Sequence, residues 1–78
     1  MITLARIQKA INKAGIPLEL VRGEGYQYFV FDNGKHYDTV SVYVCYLKHY
    51  TVEQWVEEAQ AAYEVVQAEL RYQLSIAA

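Results

Sequence analysis

The sequence predicts one α+β domain in which a three-stranded antiparallel sheet carries an N-terminal helix and a longer C-terminal helix on one face. The chain has 78 residues and is 54% hydrophobic, which suits one compact core. Its middle third alternates apolar and polar residues around an Asn-Gly turn, whereas both ends repeat apolar residues at spacings of three and four. This α-β-β-β-α order favours a two-layer arrangement with both helices on the same side of the sheet.

The first element is a short amphipathic helix. Thr3 is a suitable N-cap. Gly15 favours a C-terminal stop, and Pro17 makes continuation of the helix costly. The apolar face has helical spacing and consists of Leu4, Ile7, Ile11 and Ala14. The remaining positions form a basic outer face with Arg6, Lys9 and Lys13.

Three strands follow, over residues 18–22, 26–31 and about 37–47. Gly23-Glu24-Gly25 separates the first two strands. Asn33-Gly34 between the second and third predicts a hairpin, because this dipeptide tolerates the positive φ angles of a type I′ turn. The third segment is rich in β-branched and aromatic residues, which suits a strand.

The last helix begins after Thr51, which forms a capping-box pattern with Gln54. We expect one domain over residues 1–78, with fraying after Arg71 or Tyr72. The main apolar stripe consists of Trp55, Val56, Ala59, Ala62, Tyr63, Val66 and Leu70. A second, weaker apolar row consists of Ala61, Val65, Ala68 and Tyr72. A helix that is apolar on two sides is either deeply embedded or paired with another chain, such as in a homodimer, and the helix propensity of alanine accounts for half of this row by itself.

The hairpin determines which side chains share a face. A two- or four-residue turn around Asn33-Gly34 puts Phe31 opposite His36 and Phe29 opposite Asp38. The first face then has Phe29, Phe31, Val40, Val42, Val44 and Tyr46, and we expect it to form the core under Trp55. The second face has Tyr26, Tyr28, Val30, Tyr37, Thr39, Ser41, Tyr43 and Cys45, and we expect it to face outward.

The outward face is the predicted partner-binding site. Tyrosines with small polar neighbours recur on protein-binding surfaces, because each ring offers area at little entropic cost. The predicted contact residues are Tyr26, Tyr28, Tyr37 and Tyr43, with Glu24, Glu57 and Glu64 as charges that complement a basic partner. Two alternatives stay open: a solvated tyrosine-rich sheet face, and a solvated acidic helix face with acids near its N-terminus.

The sequence indicates no catalytic, metal or cofactor site. Gly23-Glu24-Gly25 leads into a strand, whereas phosphate-binding loops lead into a helix. His36, Cys45 and His49 are too few for structural zinc, with His36 and Cys45 expected on opposite faces. The same partition separates His36 from Ser41, so we expect no enzyme. The single Cys45 excludes an internal disulfide and suits a small hydrophobe in a strand.

Composition narrows the partner classes. With 7 Lys+Arg and 9 Asp+Glu, the chain lacks the basic excess of a general nucleic-acid binder and the acidic excess of a DNA mimic. One alternative is a regulator that contacts nucleic acid through Arg6, Lys9 and Lys13. These basic side chains have no aromatic side chain beside them on which a nucleobase could stack. No apolar run reaches the roughly 18 residues of a membrane span, and no signal peptide is evident. We therefore expect a soluble, cytoplasmic protein.

The central block carries a resemblance. Gly23-Glu24-Gly25-Tyr26-Gln27-Tyr28-Phe29, Thr39-Val40-Ser41-Val42-Tyr43-Val44 and Thr51-Val52-Glu53-Gln54-Trp55-Val56 resemble short, mostly uncharacterised phage and prophage proteins. In addition, Gly23-Glu24-Gly25-Tyr26 with the aromatic strand that ends near Asn33 is similar to a stretch of a small anti-CRISPR inhibitor of type I systems. The resemblance implies a non-enzymatic phage accessory protein that binds and sterically blocks a host protein, such as a CRISPR effector subunit. A homo-oligomeric module with no separate target is the alternative.

Overall fold

A computed structural model of the chain describes residues 2–44 and 46–77, and it confirms the predicted α-β-β-β-α order. The prediction that Cys45 is on the outward face of the sheet concerns a residue outside these ranges. The elements are α1 (Leu4–Lys13), β1 (Glu19–Arg22), β2 (Gln27–Asp32), β3 (Tyr37–Val42), a short 3₁₀ turn (Leu47–His49) and α2 (Val52–Ala77). The sheet is antiparallel with the strand order β1-β2-β3, so β2 is central and the other two strands are edges.

The predicted helix caps are confirmed. Thr3 Oγ1 accepts a hydrogen bond of 3.2 Å from the Arg6 backbone N–H. At the start of α2, the Thr51 backbone N–H donates to Gln54 Oε1 at 2.9 Å, and the Gln54 backbone N–H donates to Thr51 Oγ1 at 3.1 Å. Each cap pairs backbone N–H groups at a helix start, where the first turn has no helical acceptors. Beyond Arg71, where the sequence predicts fraying, α2 continues to Ala77.

The predicted hairpin register is wrong by two residues. Phe31 lies opposite Asp38 and Phe29 opposite Val40. The turn is displaced because the Asn33 side chain caps it, with Oδ1 accepting from the backbone N–H groups of Lys35 at 2.9 Å and His36 at 2.8 Å. A shift of two residues preserves the side of every side chain. The predicted partition between the two faces therefore survives the error.

The core lies between the inner face of the sheet and the two helices. Trp55 is fully buried, with its ring 6.2 Å from Phe29 and 5.0 Å from Tyr50 in edge-on contacts. Its Nε1–H donates to the Leu47 carbonyl at 2.8 Å, so burial leaves this polar group paired. The buried apolar residues are Ile7, Ile11, Ile16, Leu18, Leu20, Phe29, Phe31, Val42, Leu47, Trp55, Ala59, Ala62 and Val66.

The third strand ends at Val42, whereas the sequence predicts a strand to about Leu47. In the observed register, residue 44 falls opposite Gly25, which lies in a turn at φ +74° and offers no continuing strand. The buried Gln27 side chain provides the hydrogen bond that a neighbouring strand would otherwise give, because its Nε2 donates to the Val44 carbonyl at 3.1 Å. Val44 still packs against the core, but Tyr46 is 56% exposed, so its predicted place in the core is wrong.

The Gln8 side chain connects helix α1 to the first strand through two hydrogen bonds. Gln8 Nε2 donates to the Leu18 carbonyl at 2.9 Å, and Gln8 Oε1 accepts from the Leu20 backbone N–H at 2.8 Å. The amide group thereby pairs backbone groups on the edge of the sheet at β1, where no further strand follows.

Candidate protein-binding surface

The outer face of the sheet is uncovered in the described part of the chain. Both helices pack on the inner face, where Phe29 and Phe31 are buried. Strand alternation directs the side chains between them to the opposite side. The outward residues of the strands are Glu19, Val21, Tyr28, Val30, Asp32, Tyr37, Thr39 and Ser41, and all are half-buried or exposed.

Three tyrosines form one aromatic cluster at the end of this face next to the Gly23–Gly25 turn. The Tyr26 ring lies 5.9 Å from the Tyr28 ring and 6.3 Å from the Tyr43 ring, between centroids. Tyr26 is 36% exposed and Tyr43 is 85% exposed. We call Tyr26, Tyr28 and Tyr43 the tyrosine cluster. It unites three of the four tyrosines that the sequence predicts as contacts.

The Gly23–Gly25 turn positions Tyr26. The Gly23 backbone N–H donates to the Tyr26 carbonyl at 2.8 Å and closes the turn. A Cβ atom at Gly23 would lie 3.0 Å from the Tyr26 ring and 3.2 Å from the Tyr26 carbonyl oxygen, so a side chain at this position would displace the ring by a few tenths of an ångström. Gly25 supplies the positive φ of the turn. The spacing of the two glycines is the sequence signal for this support, although the sequence indicated only a strand break.

Tyr37, the fourth predicted contact, lies away from the cluster. It is 68% exposed and pairs with Asp32 at the hairpin end of the sheet. Ser41, which lies opposite Tyr28, is four residues further along the strand, a distance of about 13 Å. Tyr37 therefore belongs to the same face but not to the same aromatic contact.

The charges on the outer face are acidic. Glu24 is exposed in the turn beside Tyr26, and Glu19 and Asp32 are exposed at outward positions of β1 and β2. Arg22 lies at an inward position of β1, in register with buried Gln27. Among the outward residues of the described strands there is no lysine or arginine. Strand alternation in the sequence was sufficient to find Glu19 and Asp32, which the sequence prediction left out.

The other two predicted acids lie on a different surface. Glu57 and Glu64 are exposed on α2, roughly half a helical turn from buried Trp55 and Val66. Because α2 packs on the inner face, these carboxylates are on the opposite side of the domain from the tyrosine cluster. One flat partner surface does not reach both sets, so the structure brings Glu24 to the cluster and separates it from Glu57 and Glu64.

The residues considered for chemistry do not converge. His36 and Asp38 line a depression of about 230 Å³ between the hairpin and α2, together with Glu69. Ser41 is exposed on the outer face, whereas the depression lies on the helix side. Within residues 2–44 and 46–77, no group of three or more His, Cys, Asp or Glu side chains is arranged to hold a metal ion.

The basic residues of α1 form a surface of their own. Arg6, Lys9 and Lys13 line a shallow depression of about 310 Å³ with Ala10 and Val52. No aromatic side chain lines it, so a base of a nucleic acid finds no stacking partner at this place. None of the described helices combines the length and apolar character needed to cross a lipid bilayer.

No protein-family model, curated protein or solved structure matches this chain.

Proposed function

We propose that this chain is a non-enzymatic phage accessory protein that binds a host protein through the tyrosine cluster and blocks it sterically. The proposed class is an anti-defence inhibitor, and the proposed target is a subunit of a type I CRISPR effector complex. The observation that carries the proposal is an aromatic cluster exposed on a sheet face that no described element covers.

The cluster has the properties of a binding hot spot. Tyrosine combines apolar area with a hydroxyl group that forms hydrogen bonds in water or in an interface, and it has few rotatable bonds to immobilise. The Tyr26 ring already contacts the rings of Tyr28 and Tyr43 in the unbound chain. Such preorganisation lowers the entropic cost of association. A central group of tyrosines is therefore suited to supply most of the binding energy.

The charge around the cluster indicates the kind of surface that it contacts. Glu24, Glu19 and Asp32 place negative charge on the outer face, which complements a basic protein surface. Proteins that hold guide RNA or DNA have basic surfaces because they neutralise phosphates. A subunit of a CRISPR effector complex therefore offers a matching surface. Single-stranded nucleic acid itself is disfavoured at this face, because stacking platforms lie in basic grooves.

Binding to a purified type I effector complex tests the proposal. We expect the wild-type chain to bind, and the folded triple variant Tyr26→Ser/Tyr28→Ser/Tyr43→Ser to bind at least about 100-fold more weakly. Tyr46→Ser is the matched control, because Tyr46 is also an exposed tyrosine but lies outside the cluster. Its affinity is expected to stay within about twofold of the wild type.

Two results contradict different parts of the proposal. Wild-type affinity in the folded triple variant would overturn the tyrosine cluster as the contact surface. If no effector complex from a panel of type I subtypes binds the wild-type chain, the proposed target class is wrong. A plaque assay with phage targeted by a type I system gives the functional result: the wild-type chain is expected to restore plaques, and the triple variant is not.

A second candidate function is a homo-oligomeric module without a separate target. It is favoured by large apolar side chains on the solvent side of α2, where Val65 is 57% and Tyr72 is 64% exposed. Sedimentation of the purified wild-type chain over a micromolar concentration series measures self-association, and the effector-binding test above separates the two functions, because a module without a separate target binds no effector complex.

A further inference from the structure

Helix α2 has an apolar face that the domain does not bury. The helix has 26 residues and is about 39 Å long, most of the 47 Å longest dimension of the molecule. Ala61, Val65, Ala68 and Tyr72 are all exposed and lie in one row, spaced by four, three and four residues. We call these four residues the outer row. Ile76 lies beside the row and is 66% exposed.

The spacing of the outer row is that of a coiled-coil seam. Val65 and Tyr72 occupy one core position of the heptad, and Ala61 and Ala68 occupy the other. The seam ends in polar residues, with Glu58 one heptad before Val65 and Ser75 one heptad after Ala68. Large and small side chains therefore alternate along a seam of limited length, and this alternation determines which pairing fits.

We propose that a second copy of this chain binds the outer row, with the two α2 helices antiparallel and the twofold axis between Val66 and Gln67. In this register, Tyr72 of each copy lies beside Ala61 of the other, and Val65 lies beside Ala68. Every large side chain then faces a small one. A parallel pairing instead places Tyr72 against Tyr72 and alanine against alanine, which leaves the seam crowded in one layer and empty in another.

The charges that flank the row favour the same arrangement. Glu64 and Arg71 are exposed and occupy the same flanking heptad position, one residue before Val65 and Tyr72. Antiparallel pairing around the proposed axis brings Glu64 of each copy to Arg71 of the other, which gives two ion pairs of opposite charge. Parallel pairing brings Glu64 towards Glu69 of the other copy, which is repulsive.

The register is specified within the row itself. A displacement of one heptad in either direction pairs Val65 with Ser75 or Ala68 with Glu58, and it removes the Glu64–Arg71 pairs. The seam is shorter than that of a stable isolated coiled coil, so we expect a dimer that dissociates on dilution in the micromolar range.

Pairing through α2 leaves the tyrosine cluster exposed on both copies. A dimer therefore presents two such clusters, and a target with two sites is bound with avidity.

Analytical ultracentrifugation of the full chain over a micromolar concentration series tests this proposal without any target. Ala68→Glu places a carboxylate at the centre of the seam, and Glu is a good helix former at an exposed position. We expect the dimer dissociation constant to rise at least about tenfold. Gln60→Glu adds the same charge elsewhere on the exposed surface of α2 and is expected to leave it within about twofold.

A charge exchange distinguishes the two orientations. Glu64→Arg and Arg71→Glu are each expected to weaken the dimer about fivefold, because each brings like charges together twice. The double variant Glu64→Arg/Arg71→Glu restores the pairs and is expected to return to within about twofold of the wild type. A stronger dimer in Glu64→Arg indicates parallel pairing and overturns the proposal.

Two further outcomes also overturn it. One is a wild-type chain that remains monomeric at the highest concentration. The other is a dimer that resists Ala68→Glu but dissociates in the triple tyrosine variant, which assigns the contact to the outer sheet face. The first outcome leaves the effector-binding test unaffected, because that test measures a different surface. The second outcome moves the dimer contact to the tyrosine cluster, and the effector-binding test then shows whether the cluster also binds a target.

Discussion

The two faces of the sheet are built from the same strands but depend on different forces. On the inner face, Phe29 and Phe31 are buried beneath Trp55 and Tyr63, and their rings contact these side chains. On the outer face, Tyr26, Tyr28 and Tyr43 contact mainly one another and remain partly or largely exposed to water. Aromatic residues therefore stabilise the fold on one side and are available for a partner on the other.

The difference follows from which kind of aromatic residue occupies each face of the sheet: phenylalanine alternates onto the inner face and tyrosine onto the outer face. Phenylalanine has no polar atom, so burying it leaves no hydrogen-bonding group unpaired. Tyrosine has a hydroxyl group that is satisfied by water, and its ring is favourable on a pleated surface. Substitutions on the two faces are therefore expected to separate stability from binding.

The largest expected effect is on the inner side. Trp55→Ala removes a fully buried ring that contacts Phe29 and Tyr50, and it leaves the Leu47 carbonyl without its indole partner. We expect the free energy of unfolding to fall by about 3–5 kcal/mol, measured by urea titration. Tyr46→Ala, at an exposed aromatic residue, is the control and is expected to change it by about 0.5 kcal/mol or less. A loss below about 1 kcal/mol for Trp55→Ala would mean that the core is assigned wrongly.

The features that the sequence predicted correctly depend on near neighbours along the chain. The Thr3 cap, the Thr51–Gln54 capping box and the division of the strands into two faces all follow from spacings of a few residues. Side-chain parity is robust because an even shift in register does not change it. The two-residue error at the hairpin therefore altered the strand pairs without altering the predicted binding face.

The features that the sequence missed depend on distant parts of the chain. The end of β3 at Val42 is set by the turn at Gly25 on the neighbouring strand, and the Gln27 side chain then bonds to the Val44 carbonyl. The separation of Glu57 and Glu64 from the cluster is a different case, because two correct predictions already imply it. The sequence predicts that Trp55 covers the inner face, and helical spacing directs Glu57 and Glu64 away from Trp55, so together they place these acids on the side of the domain opposite the tyrosines.

A smaller effect is expected at the edge of the sheet, where Gln8 fastens α1 to β1. Gln8→Ala removes the hydrogen bonds to the Leu18 carbonyl and the Leu20 N–H. We expect a loss of about 1–2 kcal/mol in unfolding free energy, with faster hydrogen exchange at the Leu20 amide. Lys9→Ala, at the next position of the same helix, is exposed and serves as the control. Unchanged exchange at Leu20 would show that these bonds do not hold the edge.

A small effect on stability is also expected for the tyrosine cluster, although three large side chains are replaced at once. Replacing Tyr26, Tyr28 and Tyr43 with serine removes two ring contacts at 5.9 and 6.3 Å on a face that no described element covers. The Tyr26–Tyr43 contact lies across the two neighbouring strands, and such a pair stabilises a sheet by about 0.2–1 kcal/mol, whereas Tyr26 and Tyr28 are neighbours along one strand. We therefore expect the triple variant to lose no more than about 2 kcal/mol and to stay folded. Urea titration and circular dichroism measure both quantities.

A loss for this triple variant as large as that for Trp55→Ala would show that the tyrosines belong to the fold rather than to a partner, and the contrast between the two faces would fail. Gly23→Ala refines the test, because the added Cβ presses on the Tyr26 ring from a position 3.0 Å away while every tyrosine is retained. If the cluster acts through its arrangement, Gly23→Ala weakens effector binding with little change in unfolding free energy. A chain with three correctly placed rings then binds more tightly than one with the same rings displaced, which exposed area alone does not explain.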